Sequence, residues 1–597
     1  MSVNNDNCNL IYLKSQFNSL KDHEKIVSLK MDEIQINSSL ELRGGLLEGF
    51  SKNRPDELAN HVQAFLINSL LSNYKEIVNL IPVKRNAAES LYKSLIYILE
   101  AVEKLGFRVV CITSDNNRIN RNCFDRLVVS KTENYFFSKV HPGSKIFLLF
   151  DAPHMMKCIR NNWINLKNPK KEFQFNPFKT TEFGTKASFE HIKMLYELER
   201  DKTIKLGYKL NSKVIYPSSI ERQKVPLALS IFDESTIAAL KSLVPNSEST
   251  TNFLLAFQKF WKIFNINNPN KGIFKNDKSY EPFNNKNDER LNFLKTFADW
   301  LDDWKSHHLP DKLSAETFHS VSFSCRSLHS LVIYLLEDIN FKYVLTSKLQ
   351  TDYLESLFGI YRQMNCSSML LTWSQVKSAE KKNRIMNSLK LRGQVLKLDH
   401  SEEDFTTDEF DFDYRSIDFN RSDFEVEEIQ ACVYIGGYIL KKYYKFNNCK
   451  GCMNMFSTDG NTDLDIEIAE EYLNNINRGN LTYPSPVLVH ILLITQKFFS
   501  EHIENFINKS EKSISIKTLV NLFENILEDL NLINSLNYCQ HHPDILIENL
   551  KYCLRIFSRI LINNFSKKIN NLYNQKKKTL ATKSKHDYES QIAKFYN

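Results

Sequence analysis

The sequence predicts an α/β protein: a mixed five-stranded sheet with helices, split by a mostly helical insertion and followed by a helical C-terminal region. Three observations carry this expectation. Strand-like and helix-like periods alternate over the first 165 residues. The wholly apolar stretch KIFLLF at 145–150 follows a helix, which is the pattern of a sheet covered on both faces. Beyond about residue 185 helical periods dominate, separated by Asn-rich loops.

In chain order, KIVSLKMDEIQIN reads as the first strand, GGLLEGFS as a Gly-bounded second and YKEIVNLIPVK as a third. Between the last two, DELANHVQAFLINSLLS carries apolar residues at helical spacing and is expected to be a helix. NAAESLYKSLIYILEAVEKLG is an amphipathic helix with Asn86 as its cap and Gly106 at its end. FRVVCITSD is the fourth strand, a short helix follows, and KIFLLFD is the fifth. Helices are expected at SFEHIKMLYELER, STIAALKSL and IQACVYIGGYILKKYY, and the acidic segment 400–428 reads as a disordered linker. The boundaries that follow are an extension at 1–25, a first core segment at 26–184, the insertion at 185–340, a last core segment at 341–399, the linker at 400–428 and the helical region at 429–597.

Bulk properties narrow the function. The chain has 597 residues, too many for one ordinary core. Its 42% hydrophobic and 25% charged residues are those of a globular protein, and no run of about 18 apolar residues suggests a membrane partner. A net charge of +8 permits nucleic acid without demanding it. The N-terminal residues lack a basic segment followed by an apolar one, so no secretory signal is expected. Eleven scattered cysteines suit reduced thiols inside a cell.

The strand order is that of an RNase H-like sheet, in which the first strand lies beside the fourth. Asp32 in the first strand and Asp115 at the end of the fourth therefore meet, although far apart in sequence. Close carboxylates repel and suit hard divalent cations such as Mg²⁺, two of which can serve phosphodiester chemistry. A third acid is expected from a later helix, and TSKLQTDYLESLFGIYRQM supplies Asp352 and Glu355 one turn apart. Leu354, Leu357, Phe358 and Tyr361 form the apolar stripe of that helix.

The segments KMDEIQI, ITSDNNRINRN, FDAPHMMKCIRNNW and QTDYLESLFGIYRQM, in this order, resemble the catalytic core of P-element-type DNA transposases and their domesticated THAP-domain relatives. The resemblance implies an RNase H-like domain interrupted by a helical GTP-binding insertion, and a DDE triad of Asp32, Asp115 and Glu355 holding two Mg²⁺ ions. Asp151 and Asp352 are then supporting acids, and His154, Lys157 and Arg160 would face the DNA backbone. The expected partner is DNA, bound by a homo-oligomer in the nucleus. In the insertion the resemblance retains Lys209, Lys224, Val225, Phe264 and Asn268 for GTP. Asp233 stands where a serine is expected, and Asn265 replaces the Asp that pairs with guanine. An amide must present a donor where a carboxylate accepts two N–H bonds, so guanine recognition is expected to suffer. The family's N-terminal zinc-bearing THAP domain has no counterpart before Ile26, where Cys8 stands alone.

Cys449 and Cys452 in NNCKGCMNMF, and Cys539 with His542 (or His541) in NYCQHHPD, have the spacing of a zinc site. The basic tail NNFSKKINNLYNQKKKTLATKSK suits phosphate contact or nuclear import. Two functions compete on these data. One is a metal-dependent DNA transposase or a protein derived from one; the alternative is a catalytically silent DNA- or chromatin-binding protein.

Overall fold

The computed structural model describes residues 4–566 and Lys568, apart from 44–45, 86, 129–132, 166–167, 179–183, 308, 310, 369, 392–423, 448, 459–471, 478, 480, 510–515, 534–535 and 537–538. Asn86, nearly all of the acidic linker and nearly all of the basic tail therefore lie outside the described residues. The chain divides into two compact units. One holds 1–187, 223–225 and 256–401; the other holds 188–222, 226–255 and 402–597.

The first unit is built on strands β1 (Ile26–Gln35), β4 (His61–Ser69), β5 (Lys75–Val83), β6 (Arg108–Ser114), β7 (Tyr135–Phe137) and β8 (Lys145–Phe150), with a separate ribbon of β2 (Glu41–Arg43) and β3 (Leu46–Glu48). The sheet order is β5-β4-β1-β6-β8-β7. β1 pairs antiparallel with β4 and parallel with β6, and β6 pairs parallel with β8. The expected adjacency of first and fourth predicted strands is thus present, in an RNase H-like sheet of six strands rather than five.

Three local readings need correction. The segment expected to be a helix before β5 is the strand β4, buried along nearly its whole length. A strand covered on both faces loses its polar alternation, and its apolar run then mimics helical spacing. Within GGLLEGFS, Leu46–Glu48 pairs with β2 and Phe50 bridges Leu58, outside the main sheet. The edge strand β7 is three residues long, too short to leave a periodic signal. Helix Ala88–Lys104 has Ala87 at its N-cap with no side-chain cap, and buries Leu91, Leu95, Ile98, Leu99 and Val102. Gly106 ends it at φ 108°, where a Cβ would lie 2.5 Å from the Phe17 ring.

Helix Asp352–Gln363 buries Leu354, Leu357, Phe358 and Tyr361, the predicted stripe, in one cluster with Ile34, Val62, Ala64, Leu66 and Ile77 of β1, β4 and β5. A polar clamp lies beneath it. The Tyr361 hydroxyl donates to Glu380, and Arg384 pairs with Glu380 at 2.7 Å and Glu76 at 3.4 Å while donating to the Ile77 carbonyl. Helices Glu289–Ser306 and Ala315–Glu337, expected to belong to the insertion, lie in the sheet-containing unit, the second of them packed on β8. In the other unit, helices Phe189–Glu199, Glu234–Leu243 and Val426–Tyr443 occupy predicted helical segments, the last starting within the expected linker. Among the described residues no helix is long and apolar enough to cross a membrane.

The buried clamp generates a stability prediction. Arg384→Met strands two buried carboxylates and should cost about 3–5 kcal/mol, whereas Tyr361→Phe removes one hydrogen bond and should cost about 1–2 kcal/mol. Hydrogen exchange of helix Asp352–Gln363 in the two variants checks the order, and equal protection in both would contradict the clamp.

Candidate active site

Register places the acids. β1 and β6 run parallel with Lys30 opposite Thr113, so two residues further on Asp32 stands level with Asp115. β6 and β8 run parallel with Ser114 opposite Phe150, so Asp115 is level in turn with Asp151. Three neighbouring strands each deliver one aspartate at the same height. Asp32 and Asp115 line one cleft of about 220 Å³, with Glu33, His61, Gln63 and Asn120 among its walls.

Each acid is held differently. Asp32 Oδ1 accepts the Glu33 amide at 2.7 Å. Asp115 accepts the Asn117 amide at 3.4 Å and the side-chain amide of Asn120. Asn117 in turn caps helix Arg118–Phe124 by accepting the Asn120 amide. The Asn-rich run after Asp115 is therefore a turn that orients a carboxylate. Asp151 is fully buried at the head of helix Ala152–Trp163, and its Oδ1 accepts the Thr351 amide at 2.9 Å. That bond ties the end of β8 to the residue that opens the helix carrying Glu355.

His154 and Arg160 correct the sequence reading. His154 Nε2 lies 2.8 Å from Glu355 Oε1, and its Nδ1 lies 3.6 Å from Asp151 Oδ2. The imidazole stands between two carboxylates with its side chain only 15% exposed. Arg160 is fully buried, on the face that helix Ala152–Trp163 turns to the core. Arg160 is therefore not a solvated surface cation, and His154 is engaged by carboxylates; Lys157 is half-buried. Glu355 is turned to His154, and Asp151, His154 and Glu355 have ligand atoms within 4.8 Å of one another. Among the described residues no such cluster joins Glu355 to Asp32 and Asp115, although the charge of Glu355 reaches Asp32.

One residue was missed in the sequence. Lys30, two positions before Asp32 and on the same strand face, is 2% exposed. Burial lowers its pKa to about 8, against the raising influence of Asp151 and Asp352. A lysine inside an apolar central strand was the available signal.

The acids are under strain from one another. Burial, then the charge of Asp115, raises Asp32 to about 7. Burial, then Asp151 and Glu355, raises Asp352 to about 6. Glu355 is held low, first by its hydrogen bond from His154. Burial alone would lower His154, but the Glu355 hydrogen bond and the Asp151 charge outweigh it and bring it to about 9. Asp32, Asp115, Asp151, Asp352 and Glu355 outnumber the buried cations Lys30 and His154, and such hard oxygen donors fit divalent cations such as Mg²⁺.

The residues proposed from resemblance for GTP do not share one unit. Lys209 belongs to one, and Lys224, Val225, Phe264, Asn265 and Asn268 to the other. Phe264 is buried and its carbonyl accepts Gln350 Nε2 at 2.8 Å. Asn265 follows helix Glu248–Phe264, and Asn268 is exposed in the next turn. Asp233 caps helix Glu234–Leu243, accepting the Ser235 amide at 3.1 Å. A serine can cap a helix in the same way, so the aspartate keeps the cap that a serine would make.

A titration follows from the His154 environment. In metal-free protein the ring should stay protonated at neutral pH. Because its folded pKa lies above the unfolded value, its stabilising contribution is complete below about pH 6.5 and is lost as pH rises through about 9. Imidazole NMR signals should show this, with Glu355→Gln moving the midpoint down; an unshifted midpoint would refute the contact.

Residues 5–128 match the model of the TNP-like RNase H N-terminal domain, 153–277 the TNP-like GTP-binding insertion domain, and 420–578 the C-terminal domain of DNA transposase THAP9. The chain is 23% identical over 588 residues to the transposable element P transposase of Drosophila melanogaster, covering 94% of this chain and 70% of that one. The Drosophila P element transposase strand transfer complex shares the fold with a TM-score of 0.53 and 22% identity, over 62% of this chain and 80% of that chain.

Proposed function

We propose that this chain, a P-element-type transposase relative along nearly its whole length, is a DNA transposase acting through Asp32, Asp115 and Glu355. The observation that carries the reading is the set of level aspartates on β1, β6 and β8, beside the helix that bears Glu355. Mg²⁺ held by the triad would activate water or a DNA 3′-hydroxyl and stabilise the leaving oxygen of a phosphodiester.

The chain's own residues have distinct tasks in this reading. Asn120 fixes the rotamer of Asp115. His154, braced by Asp151, holds Glu355 and sets where its carboxylate rests. Lys30 offsets part of the negative charge when the site is empty of cations. Partners that orient metal ligands in this way typically affect metal affinity by about 10–100-fold. The proposed setting is the nucleus, with a homo-oligomer assembled on the element's DNA ends.

The test uses DNA carrying those ends, because an unrelated duplex has no reason to be cut. Asp32→Asn, Asp115→Asn and Glu355→Gln should each abolish Mg²⁺- or Mn²⁺-dependent cleavage and joining while end binding is kept, since phosphate affinity resides in Lys and Arg. His154→Ala should lower the rate and raise the Mn²⁺ concentration needed, by about tenfold or more. If the intact protein binds the ends but never cleaves or joins them, the silent DNA-binding alternative replaces this reading.

The insertion generates a separate expectation. With Asn265 at the guanine position, GTP should bind weakly, and Asn265→Asp should tighten it by about tenfold, near 1.4 kcal/mol. Isothermal titration with GTP and ATP distinguishes a guanine-specific gain from a change in phosphate binding. Tight GTP binding by the unaltered chain would contradict the expectation.

A further inference from the structure

We propose that Cys449, Cys452, Cys539 and His542 hold one structural zinc ion that joins two segments of the helical C-terminal region. The inference is independent of the transposase reading, because it uses none of the residues in the cleft. It rests on side chains that converge from positions about ninety residues apart in sequence.

The distances are those of a tetrahedral ligand set. Cys449 Sγ and Cys539 Sγ are 3.7 Å apart, Cys452 Sγ and His542 Nδ1 3.4 Å, and Cys539 Sγ and His542 Nδ1 3.9 Å. All four ligand atoms lie within 4.8 Å of one another. Zinc bonds of about 2.3 Å to sulfur and 2.0–2.1 Å to nitrogen demand edges of about 3.8 Å between sulfurs and about 3.5 Å between sulfur and nitrogen. The sulfur pair is too far apart for a disulfide, whose bond is about 2.05 Å.

The backbone around these side chains is shaped to the same end. A Cβ on Gly451 would come within 2.7 Å of Cys539 Sγ, so the Cys-x-Gly-Cys turn needs a glycine for the two segments to approach. The amides of Cys452 and Gly451 both donate to the Cys449 sulfur, as suits a thiolate. His542 donates its amide to the Cys539 carbonyl at 3.1 Å, which closes the second turn and presents Nδ1 inward. Asn447 links the site to helix Val426–Tyr443: its Oδ1 accepts the Cys449 amide at 3.1 Å, and its Nδ2 donates to the Tyr443 hydroxyl at 2.6 Å.

Four protein ligands leave no open position, so the ion is structural rather than catalytic. It fastens the turn after helix Val426–Tyr443 to the turn before helix 546–566. Without it, three thiols and an imidazole would crowd together with Cys452 and Cys539 buried.

The experiment is metal analysis of the untagged full-length chain, purified without chelator. One zinc per chain is expected, falling to none in Cys452→Ser and Cys539→Ser and staying at one in Cys366→Ser, which alters an exposed cysteine outside the cluster. Should the serine variants fail to fold, cobalt exchanged into the wild-type chain must give the d–d and thiolate charge-transfer bands of a tetrahedral site. His542→Cys should keep the metal and shift those bands. Absence of stoichiometric zinc, iron in its place, zinc unchanged in both serine variants, or an octahedral cobalt spectrum would each overturn the proposal.

Discussion

Parallel pairing of β1 with β6, and of β6 with β8, sets the height at which Asp32, Asp115 and Asp151 leave the sheet. Side chains alternate along a strand, so a slip of one residue in either pairing would carry an aspartate to the opposite face. The register is pinned by burial: Val27, Leu29, Val109, Ile112, Ile146 and Leu148 are all fully inaccessible. The same sheet receives the apolar stripe of helix Asp352–Gln363, which brings Glu355 to His154 and the neighbourhood of Asp151. The Asp151–Thr351 bond then fixes the start of that helix against the end of β8.

Such a concentration of acid needs compensation, and the protein supplies it from within. Lys30 and His154 are cations of opposite character. Lys30 sits in the strand, weakened by burial, whereas His154 is strengthened by the carboxylates on either side of it. Neither cancels the charge of Asp32 and Asp115, which share the cleft and raise the cost of ionising together. The polar clamp of Tyr361, Glu380, Arg384 and Glu76 lies beneath the helix, where one guanidinium serves two carboxylates that burial makes harder to ionise.

Much of the core was legible because its signals are local. A buried strand with an aspartate at its end, an amphipathic helix with two acids one turn apart, and cysteine pairs at ligand spacing are all properties of short windows. The errors have physical causes as well. β4 was read as a helix because burial on both faces erased its alternation. Arg160 was read as a surface cation because helical charge says nothing about which face meets the core, and here that face is inside. The contact of His154 with Glu355 left no local signal because the two lie about two hundred residues apart. The helices at 289–306 and 315–337 were assigned to the insertion because helical periodicity does not record what a helix packs against.

The sequence by itself determined four of the six strands of the sheet, the adjacency of β1 and β6, the identities of the acids, the helix that carries Glu355 and the spacing of the cysteine pairs. These follow from periodicity and residue chemistry within a few turns of chain. Tertiary structure alone decided that Asp115 is oriented by Asn120, that His154 bridges Asp151 and Glu355, that Lys30 is buried beside them, and that His542 rather than His541 joins the three thiols. Those relations depend on which side chains meet across the fold, and hydrophobic burial over hundreds of residues sets that meeting, not any local pattern.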